Sequence, residues 1–397
     1  MKRITKIWVL VFFVMFNSQV DAIGIQFHGR ASNSFYSYED TTTHTRMYQL
    51  VRFSMNSPQL ANATLNASFR TLTDFNQSLD SDMRFRAYQL NLEFKKLLNR
   101  FDIVIGRQFL HPGTVLGGLD GLFARARIVN HLSLSLYAGV ESHFNRSFKI
   151  YKFDDSFTAG GVIDLKKIFS SNLQLLYLQK MNSEDIFWQI AGINFNTRLV
   201  PKTWVQLQTH YDLQNSRFHR IYFNARHHLL KNLYVNIGVK NQYPQVYANS
   251  FFTIFEIDPY WQYRLGGSYR LKGNYFVNCQ YQLIQFDTET ANRVFFTVSN
   301  LNGSVGLVYE SGYAGDQIGV VLDYGYQITQ NLLASLNVDY SRYRTEKVYE
   351  FENQIANAVR LSYRFKKYWS VDLEYQWLTN RFKESDSRVL NHIHFSW

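Results

Sequence analysis

From Ile23 onward, apolar and polar residues alternate with a period of two. Val205, Leu207, Tyr211 and Leu213 alternate with Gln206, Gln208, His210, Asp212 and Gln214. Leu233, Val235, Ile237 and Val239 alternate with Tyr234, Asn236, Gly238 and Lys240. Ile318, Val320, Leu322, Tyr324 and Tyr326 keep the same beat against Gly319, Asp323, Gly325 and Gln327, as do Trp369, Val371, Leu373, Tyr375 and Trp377 against Ser370, Asp372, Glu374 and Gln376. Successive strand side chains point to opposite faces, so each run predicts a strand with one apolar and one polar face.

Short polar or basic turns separate the runs. The clearest are "MNSPQL" (55–60), "KKLLNR" (95–100), "VNH" (129–131), "KKIFSSN" (166–172), "VPK" (200–202), "LLKN" (229–232), "LKGN" (271–274), "ITQN" (328–331) and "KKYW" (366–369). Nine turns imply ten hairpins and up to twenty strands; an even number, within a range of 16 to 20, is expected of a membrane barrel. Longer connections fall between these turns, at 76–81, 111–119, 142–155, 244–257 and 287–313. "RVFFTVSNLNGSVGLVYE" (293–310) reads as an extra hairpin around Asn300 to Gly303, expected as an extracellular extension, with a further membrane pair as the alternative. The aromatic-rich 244–260 is expected either to fold back into a barrel mouth or to pack over its rim.

A soluble sandwich also alternates, but with its apolar faces inward. Here the apolar runs often begin or end in Trp or Tyr, as at a membrane interface, and their length suits a tilted membrane strand. The fold class expected is all-β: a transmembrane antiparallel up-and-down β-barrel with short periplasmic turns and longer extracellular loops, over residues 23–397. Only 5 Pro occur in 397 residues, beside 27 Tyr and 33 Phe, which fits a strand-rich chain.

The two ends agree with this reading. Lys2, Arg3 and Lys6 precede the apolar run Ile7–Phe16, and Val20 and Ala22 are spaced as small residues before a cut. That is the three-part pattern of a secretory signal peptide, 1–22, and the run is too short to span a bilayer as a helix. At the other end "VLNHIHFSW" alternates to the last residue. It resembles the C-terminal signature of bacterial outer-membrane β-barrels, with Val389, Ile393, Phe395 and Trp397 matching and Asn391 departing. The resemblance implies an outer-membrane location in a Gram-negative-type envelope, contact with outer-membrane lipid, and an end read by the barrel assembly machinery. Physically, the last strand must pair with the first so that no edge faces lipid.

The formal charge of +11 falls to +9 without the leader, since removing three basic residues and one acidic one leaves 39 against 30. No nucleic-acid-binding motif accompanies it, and such a balance suits an anion-attracting pore. By parity, lumen-facing candidates are Arg125, Arg127, Arg226, Arg264, Arg270, Asp323, Arg360, Arg364, Asp372 and Glu374. The acids gather late in the chain, which suggests opposed walls of opposite sign. "IGRQFLHPGTVLGGLDGLFARAR" (105–127) resembles a hairpin of alginate-export-type porins. That resemblance implies that Arg107 and Asp120 join Arg125 and Arg127 in a narrow region, with an acidic or sugar-like solute.

The function expected is passive, anion- or sugar-selective diffusion of small polar solutes through an outer-membrane porin. The rivals are a structural or adhesion barrel without transport and a barrel-embedded hydrolase. The single Cys279 excludes an internal disulfide and a Cys-based zinc site. No nucleophile or paired-acid motif stands out, and no cofactor or metal is expected. His227 and His228 fall on opposite faces; His392 and His394 share one. A gated transporter would carry a plug before its barrel, for which the expected first strand leaves no room. The resemblance allows a homotrimer, without any trimer-specific feature in the sequence.

Overall fold

In a computed structural model, the structure describes residues 26–397 apart from 40–41, 58–62, 80–83, 112, 114–116, 143–146, 183–184, 244–258, 314, 366–367 and 382. The leader region and the stretch 244–257 therefore lie outside the described residues.

Twenty-two strands follow one another: β1 (Gln26–Glu39), β2 (Thr43–Ser57), β3 (Ala63–Asp74), β4 (Phe85–Leu97), β5 (Phe101–Leu110), β6 (Gly117–Val129), β7 (Leu132–Glu141), β8 (Phe157–Ile168), β9 (Ser171–Asn182), β10 (Asp185–Val200) and β11 (Thr203–Asp212). The second half is β12 (Arg217–Leu230), β13 (Leu233–Gln242), β14 (Tyr260–Arg270), β15 (Phe276–Gln285), β16 (Thr290–Ser299), β17 (Gly303–Gly312), β18 (Asp316–Thr329), β19 (Leu332–Arg344), β20 (Glu352–Phe365), β21 (Trp369–Asn380) and β22 (Lys383–Ser396). Each pairs antiparallel with its sequence neighbours, and β22 pairs with β1 from Ser37↔Val389 to Arg30↔Ser396. The sheet thus closes into one up-and-down barrel, as the alternation, carried through 389–397, predicts. No helix among the described residues is long and apolar enough to cross a membrane.

The strand count is two above the expected range. The difference lies at Asn300, where the expected long connection 287–313 is instead β16, a tight turn and β17. The turn stands at the same barrel end as the nine read from the sequence. It is closed by Asn300 N–H donating to the Gly303 carbonyl at 2.8 Å, while Asn300 Oδ1 accepts from the backbone of Asn302 (2.8 Å) and Gly303 (3.0 Å). The pair hides from periodicity because Phe295 and Val308, directly opposed, occupy the face that is polar on other strands.

Burial identifies the two faces. Large apolar side chains stay half exposed on one side of the sheet, as with Ile105 (51%), Phe109 (54%) and Leu307 (52%), while Ser135, Asp164, Asn194, His210 and Glu374 are buried on the other. This inverts the rule for soluble proteins. Side chains crowd on a concave surface and spread on a convex one, so the polar face is the lumen and the apolar face is the outer wall. At the turn end of the outer wall, seven rings run across the seam. Tyr363 stacks on Phe365, and contacts continue through Trp369, Phe395, Trp397 and Phe27 to Phe53 at centroid distances of 4.6–6.1 Å. Such a belt is the interfacial girdle of a membrane barrel. Gly29 is the notch that admits the last of these residues: a Cβ there would overlap the Trp397 indole. The two residues also exchange backbone bonds, Gly29 N–H to Trp397 O at 3.2 Å and Trp397 N–H to Gly29 O at 3.1 Å.

Candidate functional site

The lumen wall carries two basic regions on opposite sides of the ring. The first crosses β1–β4. Arg30 stands directly opposite Arg52, and Arg70 directly opposite Arg86. Like charges so placed repel across the sheet, and among the described residues none of the four has a carboxylate partner. Arg52 Nε donates only to Ser68 Oγ at 3.3 Å. The Arg70 guanidinium lies 5.2 Å from the Tyr48 ring and 5.7 Å from Tyr88, contacts that hold a cation without neutralising it. The Nε atoms of Arg70 and Arg86 are buried without a hydrogen-bond partner. His392 and His394 extend the region across the seam, their rings stacked 6.1 Å apart.

The second region spans β12–β14, half a turn of the ring away. Arg220 and Arg226 lie over Tyr222 and Tyr234 at 5.4 and 5.2 Å, and Lys240 bonds the Tyr260 hydroxyl at 2.8 Å. Arg264 reaches only Gln262 Oε1, at 3.4 Å. A niche of about 400 Å³ opens among Arg226, Arg264, Asn224, Asn236, Asn278 and Gln280. Gly266 lets this niche form, because a Cβ there would come within 2.6 Å of Asn236 Oδ1.

The remaining expected residues are less uniform. Arg125 Nε bonds Ser135 Oγ at 3.1 Å, and Arg127 pairs with Asp102. Both border a turn-end pocket of about 640 Å³ with Arg100, His131 and Lys166. Arg270 bonds Asn274 Oδ1 at 2.6 Å. Arg360 is paired with Glu374, which also accepts from Gln376, so neither offers a free charge. Asp372 lies 3.4 Å from His394 Nε2, and Asp323 accepts from Asn337. Arg364 faces Ser370 across β20–β21. The acids do gather on β18–β21, but they face no single basic wall: the two basic regions face each other, and the acids lie between them.

Arg107 and Asp120 depart from the expectation. Arg107 shares the phase of Ile103, Ile105 and Phe109, and Asp120 that of Leu122 and Ala124, so both stand on the outer wall. Arg107 Nε and Nη2 donate to the two Asp120 oxygens at 2.6 Å each. The segment after β7 folds back over the pair. Its Ser147 and Lys149 carbonyls accept from Arg107, as does the Ala87 carbonyl at 3.2 Å. Phe148 of that segment stacks on Phe85 at 4.9 Å. Both charged side chains are 7% exposed. An ion pair on a lipid-facing wall is tolerable only when its hydrogen bonds are saturated and it is covered, and the covering segment does this. Parity puts Arg107 on the outer wall; it is the resemblance of 105–127 to a porin hairpin that implies a lumen position for Arg107 and Asp120.

Sequence reasoning missed Arg30, Arg52, Arg70, Arg86 and Arg220. The signal was there: once "VLNHIHFSW" is paired with the first strand, parity carries the polar phase from His392 to Ser34 and so to Arg30. It also missed that one lumen wall is apolar. Leu110, Leu119, Tyr137, Leu178 and Ile190 form a buried cluster against Phe123. Gly113, beyond β5 and at φ +70, lies on the inside, where a Cβ would come to 2.7 Å from Leu176 Cδ2 on β9. Among the described residues, no three His, Cys, Asp or Glu side chains could share a metal ion.

No family model matches the chain, and no curated protein matches it. Solved structures do. The translocation pore of the P pilus usher PapC is 7% identical, with 94% of this chain and 99% of that chain covered and a TM-score of 0.52. The siderophore receptor PirA from Pseudomonas aeruginosa is 14% identical over 94% and 80%, at 0.57. A BenF-like porin from Pseudomonas fluorescens Pf-5 is 9% identical over 94% and 98%, at 0.46. What the chain shares with the first two is the path of the backbone: its fold is that of an outer-membrane β-barrel.

Proposed function

We infer that the protein is a passive outer-membrane channel for small anionic solutes. The observation that carries this is the unpaired arginine stripe Arg30, Arg52, Arg70 and Arg86, facing Arg220, Arg226, Lys240 and Arg264 across the lumen. Cationic walls of a pore lower the barrier to anions and raise it to cations. Holding guanidiniums opposite one another costs stability, so a solute that shields them is the natural counterpart. Twenty-two strands about 4.8 Å apart give a wall roughly 105 Å round, and a backbone cylinder at least ~34 Å across. Barrels of this size leave a lumen too wide for side chains to fill.

Planar-bilayer recording in a salt gradient tests the reading. The expected result is open channels whose reversal potential has the anion sign, with a shift toward zero in Arg52→Ala/Arg70→Ala. A smaller shift is expected in Arg125→Ala/Arg127→Ala, because Asp102 already offsets Arg127. Silent bilayers from folded protein, or a cation-sign potential, would overturn it. Export by cleavage of residues 1–22 belongs to the same reading; N-terminal sequencing of the mature protein should begin at Ile23. So does recognition of Val389, Ile393, Phe395 and Trp397 by the assembly machinery, for which loss of Trp397 should leave unassembled chain in the periplasm.

A further inference from the structure

The outer wall over the seam differs from the rest of the lipid-facing belt. On β17 and β18 the outward residues at mid-height are Val305, Leu307, Ile318 and Val320. On β1–β3 the row is Asn33, Gln49 and Thr71, directly opposed in turn, and Asn391 stands one diagonal step away on β22. The row sits between the girdle residues Phe27 and Phe53 and the loop end, which puts it inside the hydrocarbon belt.

Gln49 Nε2 donates to Asn33 Oδ1 at 3.0 Å, and Thr71 Oγ1 donates to Gln49 Oε1 at 3.2 Å. These bonds satisfy part of the row. The Asn33 amide nitrogen makes no bond among the described residues. Polar groups in hydrocarbon are costly unless another protein surface completes their bonds, and amides at such surfaces act as glue. Below the row, Ala31 keeps the outer face of β1 low above the point where the Trp397 indole covers Gly29. Among the described residues, the outward side chains from Phe27 to Ser37 on β1, Thr45 to Phe53 on β2, Leu65 to Thr73 on β3 and Ser385 to Phe395 on β22 carry no charge. A partner selected by charge would find nothing to grip there, whereas carboxamides both donate and accept and so complement themselves.

We propose that this wall is a two-fold interface with a second copy of the same chain. The row has Gln49 at its centre, so two copies related by an axis along the membrane normal bring Gln49 against Gln49 and each Asn33 toward the other's Thr71. Such an isologous contact uses one patch on both subunits. The wall from β21 to β3 is about 24 Å wide at strand spacing and ~25 Å tall within the belt. That is roughly 600 Å² per copy and 1,200 Å² per contact, at the lower end of specific interfaces.

Single-cysteine reporters in outer-membrane vesicles test it. In a Cys279→Ser background, Gln49→Cys should give a product of twice the chain mass on mild oxidation, and Leu307→Cys at least about tenfold less. Native mass spectrometry of the lipid-extracted wild-type protein should show a dimer. Asn33→Leu/Gln49→Leu/Thr71→Val should shift it to monomer while single-channel conductance stays unchanged, which shows that the variant has folded. Monomeric or trimeric wild-type protein, equal yields at the two cysteines, or a Gln49→Cys product containing another polypeptide would each overturn the two-fold pairing.

Discussion

At the level of single side chains, the covered pair Arg107–Asp120 and the notch at Gly29 make opposite demands. Arg107→Ala leaves Asp120 as a buried, uncompensated charge on the outer wall. It should lower unfolding stability in detergent by about 3–5 kcal/mol, whereas Arg107→Met with Asp120→Leu should be close to neutral. Urea titration followed by circular dichroism separates the two. At Gly29 a side chain is too much. Gly29→Val forces the Trp397 indole out of its place, and overpacking of this kind costs about 1–3 kcal/mol. Trp397→Leu in the same chain should recover most of that loss. The sequence announced Trp397 by its position but gave no sign that Gly29 receives it, since the two are brought together only when the ring closes.

At the level of strands and turns, the alternation decided nearly everything that it touched. Nine turns read from polar and basic punctuation stand where the barrel turns. The tenth was ambiguous because Phe295 and Val308 put apolar residues on the lumen phase of β16 and β17, and a period of two is blurred when both faces are apolar. What fixes that turn is Asn300, whose carbonyl oxygen takes two backbone N–H groups. Asn300→Ala should weaken the hairpin by about 1 kcal/mol, the usual worth of a side-chain bond to backbone. Amide exchange over 295–308 should report it. The connection after β7 shows a different limit: from sequence it reads as one more solvated loop, yet Phe148, resting on Phe85, and its carbonyls, resting on Arg107, make it part of the outer wall.

At the level of the whole molecule, closure sets the electrostatics. Residues Arg30 and Arg264 belong to strands far apart in sequence, yet a ring of 22 places their strands across one lumen. The same ring separates the acids of β18–β21 into a sector of their own, where Arg360 and Glu374 cancel each other. Two consequences are measurable together. Raising ionic strength should reduce the anion preference steeply, because the Debye length falls from ~10 Å at 0.1 M to ~3 Å at 1 M. Glu374→Gln should strengthen the preference by freeing Arg360.

The chain by itself determined an antiparallel membrane barrel, its even strand ladder and many of its lumen-facing positions, because a period of two is a local property that each strand carries alone. Tertiary structure alone decided the number of strands, the opposition of the two arginine walls, the cover over Arg107 and the polar row on the seam. Those depend on which strands become neighbours across the ring and on which face a connecting segment comes to rest, and no local pattern contains either.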